Sequence, residues 1–302
     1  MQYCEIISKI AGSVGPLARL DKMKRRMAWA GKKGKRRLLD ILLIMCIGIS
    51  IFCIYGFGKL YYSYKTARDE YRDILAIARE EKTDRIDSLP ASQKEAEGQG
   101  ENTSEDEFGF DGEYISPINF GALQELNPEI AAWLWVPGTA IDYPVVQGID
   151  NSVYLKKTVK GTDNVSGAIF FDFRNARDFS DKNTVIYGHN MKDGSMFSSL
   201  NKYRDQEFYD DYPFFIIYSP ECEYHFRIAS VCIIPDESIV YSLNIIEEKG
   251  FSEYAGNLLL NNLVNTGTDL SLDDHRVTLS TCEYQYDNLR LVVIGKLEKR
   301  IG

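Results

Sequence analysis

The sequence predicts a mainly β domain with added helices, carried behind one membrane-spanning helix. Three observations predict it: seven short strand-like runs with turn punctuation between residues 142 and 297, two stretches of helical spacing beside them, and one long apolar run near the N-terminus. Many short strands with few helices suggest a barrel or a sandwich. At 302 residues and 44% hydrophobic content, the chain has enough apolar side chains for a substantial core.

Charge divides the chain before any fold is considered. Residues 1–37 hold 11 Lys and Arg against two acidic residues, so the rest carries a net −18 within the overall −9. Such a split argues for two compartments rather than one surface. The basic end has one aromatic, Trp29, and no reader motif, so nucleic acid is not an expected partner. Residues 38–60 are almost wholly apolar, interrupted by Asp40, Ser50 and Lys59. About 20 such residues cross the roughly 30 Å hydrocarbon layer as a helix. Positive charge just before the span predicts an uncleaved signal-anchor, with the N-terminus cytoplasmic and everything after it outside. Tyr55, Tyr61, Tyr62 and Tyr64 suit the interface.

Residues 61–110 read as a partly helical stalk and linker. Within 65–82 a thin apolar stripe (Tyr71, Ile74, Leu75, Ala78) predicts a helix, and 83–107 hold too few apolar residues to fold. The globular domain is expected over 111–302. Residues 120–135 have helical spacing through Leu123, Leu126, Ile130 and Trp133. Strands are expected at 142–147, 168–171, 184–187, 214–218, 224–234, 277–281 and 291–297. Between the fifth and sixth, Phe251, Tyr254, Leu258 and Val264 form a helical stripe.

The reactive residues sit at strand ends. Val277-Thr278-Leu279-Ser280-Thr281-Cys282 is a strand ending on a cysteine, and after a polar turn Arg290 opens the next, so the two can lie side by side. Only a thiolate attacks, and an adjacent guanidinium stabilises an anion. Of the three histidines, His189 ends the apolar run Asn183–Tyr187 in Gly-His-Asn. His225 and His275 read as surface or structural residues. Cys46, Cys53, Cys222 and Cys232 read as small buried apolar groups. Cys4 stays reduced on the cytoplasmic side. The spacing of Cys222 and Cys232 leaves open whether they pair.

Thr-Leu-Ser-Thr-Cys282 with the downstream Arg290 and the upstream Tyr187-Gly188-His189-Asn190 resembles a sortase, a cysteine transpeptidase of Gram-positive cell surfaces. The stretches from Gly188 to Phe197 and from Gly167 to Asn175 resemble class B. The likeness covers roughly residues 111–300. It implies a closed β-barrel with an N-terminal helix and a helix inserted before the cysteine strand. It also implies that Cys282 attacks a C-terminal sorting signal of Asn-Pro-x-Thr or related type in a secreted protein, forming a thioacyl-enzyme. His189 serves as acid and then base, while Arg290 orients the signal and stabilises the oxyanion beside a backbone N–H near Glu283. The acceptor it implies is an amine of a lipid-linked peptidoglycan precursor. Tyr187, Ser280, Thr281 and Glu283 flank the reactive groups and are expected to line the groove, and Asn151 and Leu155 resemble residues that contact the signal.

The alternatives are a pilin-polymerising enzyme, a peptidase that only cleaves the signal, and a non-enzymatic surface binding module. No cofactor is expected: Gly31-Lys32-Lys33-Gly34-Lys35 lacks the spacing of a phosphate loop. No metal site is expected, because the histidines and cysteines lack paired ligand spacing.

Overall fold

The computed structural model describes residues 2–79, 114–245, 247–282 and 288–302, with the backbone alone at Cys282 and over most of residues 2–38. The linker expected over 83–107 and the groove residue Glu283 lie outside the described residues. The chain forms two compact units, Met1–Tyr61 and Tyr62–Gly302. Helix α1 covers Gln2–Arg79. Its Leu39–Arg79 part is, among the described residues, the one helix long and apolar enough to cross a membrane. Cys46 and Cys53, expected to be buried, are exposed on this apolar stretch, whose most apolar window is 0% buried among the described residues.

The second unit is an eight-stranded closed barrel in the order β1-β2-β3-β4-β7-β8-β6-β5. The strands are β1 (Ile130–Trp135), β2 (Asp142–Val146), β3 (Ile169–Phe171), β4 (Asn183–Tyr187), β5 (Phe214–Tyr218), β6 (Glu223–Pro235), β7 (Arg276–Cys282) and β8 (Leu289–Ile301). Closure removes the unpaired edges that a sandwich must protect. Only β2–β3 and β4–β7 run parallel; all other neighbours are antiparallel. The β6–β8 ladder extends from Glu223↔Ile301 to Pro235↔Leu289. It therefore carries β8 past residue 297, where alternation in the sequence gives way to Glu298, Lys299 and Arg300.

The helix expected over 120–135 divides in two. Helix α2 spans only Phe120–Leu126, with Asn119 Oδ1 accepting Ala122 N–H as its cap. Pro128 disfavours helical backbone at Asn127, and the chain turns into β1. Ile130, Ala131, Ala132, Trp133 and Leu134 are all buried. A strand buried on both faces shows no two-residue period, and its apolar run also fits a helix.

A second correction concerns residues 62–79, read as part of a stalk. Ala67, Tyr71, Ile74 and Ala78 are buried in the barrel's own core cluster. Their 4-3-4 spacing puts them on one helical face. Helix α3 (Gln206–Asp211) is capped by the Asp205 side chain. Helix α4 (Glu248–Asn261) lies between β6 and β7, a turn earlier than the expected 251–264. Asn262 ends it in extended backbone and its Oδ1 accepts Val231 N–H from β6. Cys222 and Cys232 are both buried and both free. Arg300 Nε and Nη2 approach Cys222 Sγ at 3.2 and 3.1 Å. Burial pushes the Cys232 thiol up to about 12.

Candidate active site

Parallel pairing of β4 and β7, with Tyr187 opposite Ser280, brings both strands to their C-terminal ends on the same rim of the barrel. Gly188 N–H extends the pairing by donating to Ser280 O at 3.1 Å. A Cβ at Gly188 would stand 2.7 Å from the Phe197 ring and 2.8 Å from Ile169, so only glycine lets the chain pass this close. His189 follows immediately. On the other side of β7, Cys282 is in direct register with Arg290 of β8. Cross-strand partners stand about 4.5–5.5 Å apart at Cα, which brings the two residues as close as strand neighbours can be.

A half-open cavity of about 280 Å³ occupies this rim, and His189 and Arg290 both line it. So do the sequence-predicted residues Asn151, Leu155, Tyr187, Ser280 and Thr281. Among the described residues, Phe170, Gly188, Asp236 and Tyr241 also line it. His225 and His275 lie elsewhere: His225 Nε2 is 2.5 Å from Glu223 Oε1, and His275 Nδ1 is 3.1 Å from Asp181 O.

The hydrogen bonds define what each wall residue offers. His189 Nε2 is 2.7 Å from Leu155 O. A carbonyl only accepts, so Nε2 carries the proton in this contact and Nδ1 is the ring nitrogen the contact does not use. Arg290 donates from Nη2 to Asp236 Oδ2 at 3.2 Å and from Nη1 to Leu289 O at 2.9 Å. Tyr187 stacks on Tyr241 with ring centroids 6.3 Å apart, and the Tyr241 hydroxyl bonds Ser280 Oγ at 2.8 Å. Thr281 Oγ1 is buried and has no hydrogen-bond partner among the described residues.

Behind the wall sits Asp172, fully buried. Its Oδ2 accepts from Tyr187 OH (3.1 Å), Asn151 Nδ2 (3.0 Å) and Arg174 Nη2 (2.8 Å), and its Oδ1 accepts from Arg174 Nε (2.8 Å). Burial pushes this carboxyl up, but the Arg174 and Asn151 hydrogen bonds outweigh it and hold the group below the usual carboxylate range. Burial and the Asp172 charge raise the Tyr187 phenol, and burial pushes Tyr241 up to about 12. Both phenols therefore stay protonated near neutral pH and are not bases, and Tyr187 donates to Asp172. Asn151 uses its amide inside the protein, donating to Asp172 and accepting Phe173 N–H at 2.9 Å.

Asp172, Asp236 and Tyr241 escaped the sequence reading. Asp172 sits in the Gly167–Asn175 stretch already singled out as class B-like, which was the available signal. Asp236 and Tyr241 sit in the connection after β6, and only the closed barrel brings that connection over β7 and β8.

A closed eight-stranded barrel with a cysteine strand, an arginine strand and a histidine on one rim matches known proteins. The sortase-domain family model matches residues 134–298. Sortase B of Listeria monocytogenes is 38% identical over 177 residues, covering 58% of this chain and 72% of that protein. Sortase B of Staphylococcus aureus is 28% identical over 189 residues, covering 62% and 77%. Among solved structures, sortase B from B. anthracis superposes with a TM-score of 0.61 at 30% identity, over 80% of this chain and 100% of that one. The chain belongs to the sortase family. Within it the likeness is to class B, whose members are cysteine transpeptidases.

Proposed function

We propose that the protein is a membrane-anchored transpeptidase in which Cys282, His189 and Arg290 act together on a C-terminal sorting signal. The observation that carries this reading is the pairing of Cys282 with Arg290 across β7 and β8, on the rim where His189 and Arg290 line one cavity. His189 Nδ1 takes the Cys282 thiol proton, the resulting thiolate attacks the scissile carbonyl, and Arg290 holds the oxyanion. The C–N bond breaks as His189, through Nδ1, gives a proton to the leaving amine. His189 then takes a proton from the acceptor amine, which attacks the thioester and releases the thiolate. Tyr187, Ser280 and Thr281 line the signal's groove, with Asn151 and Leu155 at its far wall.

The signal is of the Asn-Pro-x-Thr or a related type, and the acceptor is an amine on a lipid-linked peptidoglycan precursor. Residues 38–60 anchor the chain with its N-terminus in the cytoplasm and the barrel outside, supported by the basic segment before the span. Both substrates are then reached at the membrane's outer face.

The test uses the full chain in detergent with quenched fluorescent Asn-Pro-x-Thr and Leu-Pro-x-Thr peptides, with and without an oligoglycine or a diaminopimelate-like amine. Cleavage of one type, with product joined to the amine and lost in Cys282→Ala, is the expected outcome. Cleavage indifferent to amine would replace transfer with hydrolysis. Turnover surviving Cys282→Ala would remove the nucleophile from the proposal.

A further inference from the structure

Four residues within one stretch of α1 grip the two loops that flank His189. Ser63 Oγ donates to Asn164 Oδ1 at 3.1 Å, and Asn164 Nδ2 donates back to Ser63 O at 2.9 Å. Glu70 Oε1 accepts Lys160 N–H at 3.1 Å. The Tyr71 hydroxyl donates to Gly167 O at 2.8 Å in a buried contact. On the other side, Arg68 Nη2 stands 3.4 Å from Asp193 Oδ2, four residues beyond His189. Asp193 Oδ1 in turn accepts from Ser195 Oγ at 2.6 Å. Docking alone would need only the apolar face of Ala67, Ile74 and Ala78, so these polar ties need their own explanation.

Gly167 is where the helix meets the histidine. Its φ is +57°, and a Cβ there would stand 2.6 Å from Tyr154 O, 2.9 Å from Leu155 O and 3.0 Å from His189 Cδ2. Its α-carbon therefore lies directly against the carbonyl that accepts His189 Nε2–H and against the imidazole itself. Ala168 N–H, donating to Tyr154 O at 3.0 Å, locks the same junction. Any displacement of Gly167 is passed to both groups, because close-packed interiors transmit small shifts rather than absorb them. Tyr71 is well placed to prevent one: it is buried edge-on against Tyr143, with ring centroids 5.3 Å apart, and burial followed by the Glu70 charge keeps its phenol protonated as a donor.

We infer that residues 63–71 of α1 form a clamp that sets the position and tautomer of His189, with Tyr71 as its central positioning residue. The inference rests on the proposed acid–base role of His189. It makes the helix that follows the apolar span part of the active-site scaffold rather than a spacer.

The experiment compares wild type, Tyr71→Phe and Arg68→Ala as full chains in detergent. Tyr71→Phe keeps the ring and removes only the hydroxyl, whereas Arg68 is exposed and its loss leaves no void. Transpeptidation by Tyr71→Phe is expected to lose about tenfold in kcat with KM within about twofold, and Arg68→Ala about twofold in kcat, because misplacing a catalytic group acts on the chemical step. Histidine ¹⁵N spectra, assigned by replacing His225 and His275 in turn, should show His189 as the Nε2–H tautomer in wild type and as a mixture in Tyr71→Phe. Unchanged kcat and unchanged His189 signals in both variants, even with a lowered Tm, would overturn the clamp. Full activity in His189→Ala would instead overturn the acid–base role of His189, and the nitrogen spectra would still decide whether Tyr71 holds the ring.

Discussion

Asp172 carries more of the site's geometry than any other single buried group, although it does not line the cavity. One carboxylate fixes Tyr187 and Asn151 on the wall and is itself held by the Arg174 fork. Its Arg174 partner is half exposed and water can take over that charge, so Asp172→Ala mainly strands the Tyr187 and Asn151 donors and is expected to lower stability by about 2 kcal/mol, read by urea unfolding. The pH dependence has a definite sign. The folded-state carboxyl lies below its unfolded value of about 3.9, so its contribution is fully present above that value and is lost as pH falls through the lower folded-state range. Acid unfolding of Asp172→Asn should therefore be flatter below about pH 4 than that of wild type. An equally steep acid limb in the variant would assign the sensitivity to other carboxylates, such as Asp181 and Asp274.

At the scale of elements, α4 and β7 meet through a buried cation. Arg276 is 1% exposed and its guanidinium lies 4.9 Å from the Tyr254 ring centroid and 5.6 Å from that of Phe251. Nη1 donates to Ser271 O at 3.0 Å, but Nε and Nη2 have no hydrogen-bond partner among the described residues. Two aromatic faces offset part of the desolvation penalty, not all of it. Arg276→Met keeps the volume and removes the charge, so it should change stability by no more than about 1 kcal/mol. Tyr254→Ala removes a fully buried ring from the same small core and should cost about 3 kcal/mol. Thermal unfolding of the two variants checks the contrast, and a larger loss in Arg276→Met would mean the cation–π contacts dominate.

For the whole molecule, the boundary of the folding unit decides how the protein can be shortened. Tyr62–Gly302 is one compact unit, and Ala67, Tyr71, Ile74 and Ala78 belong to its core. A chain beginning at residue 62 is expected to keep the barrel's stability. One beginning at residue 80 loses about 5 kcal/mol of apolar burial, a Tm drop on the order of 10 °C or more. Calorimetry on the two truncations reads this directly. Equal Tm values would show that the helix adds nothing to the barrel.

Much of this protein follows from local sequence alone. Apolar run length marks residues 38–60 as long and apolar enough to cross a membrane, alternation marks β4, β5 and β7 to within a residue, and strand ends place Cys282, Arg290 and His189 as candidates. Those signals are legible because span length, strand period and turn chemistry involve neighbours in the chain. Other features arise only from contacts between distant segments. β1 read as helix because burial on both faces erases its period. The stripe at 71–78 showed an amphipathic helix but not what it packs against. Asp172, Asp236 and Tyr241 are ordinary residues until barrel closure sets Asp172 behind Tyr187, Asp236 against Arg290 and Tyr241 on Ser280. Periodicity reports which face of an element is apolar, and only tertiary packing decides which distant residue meets it.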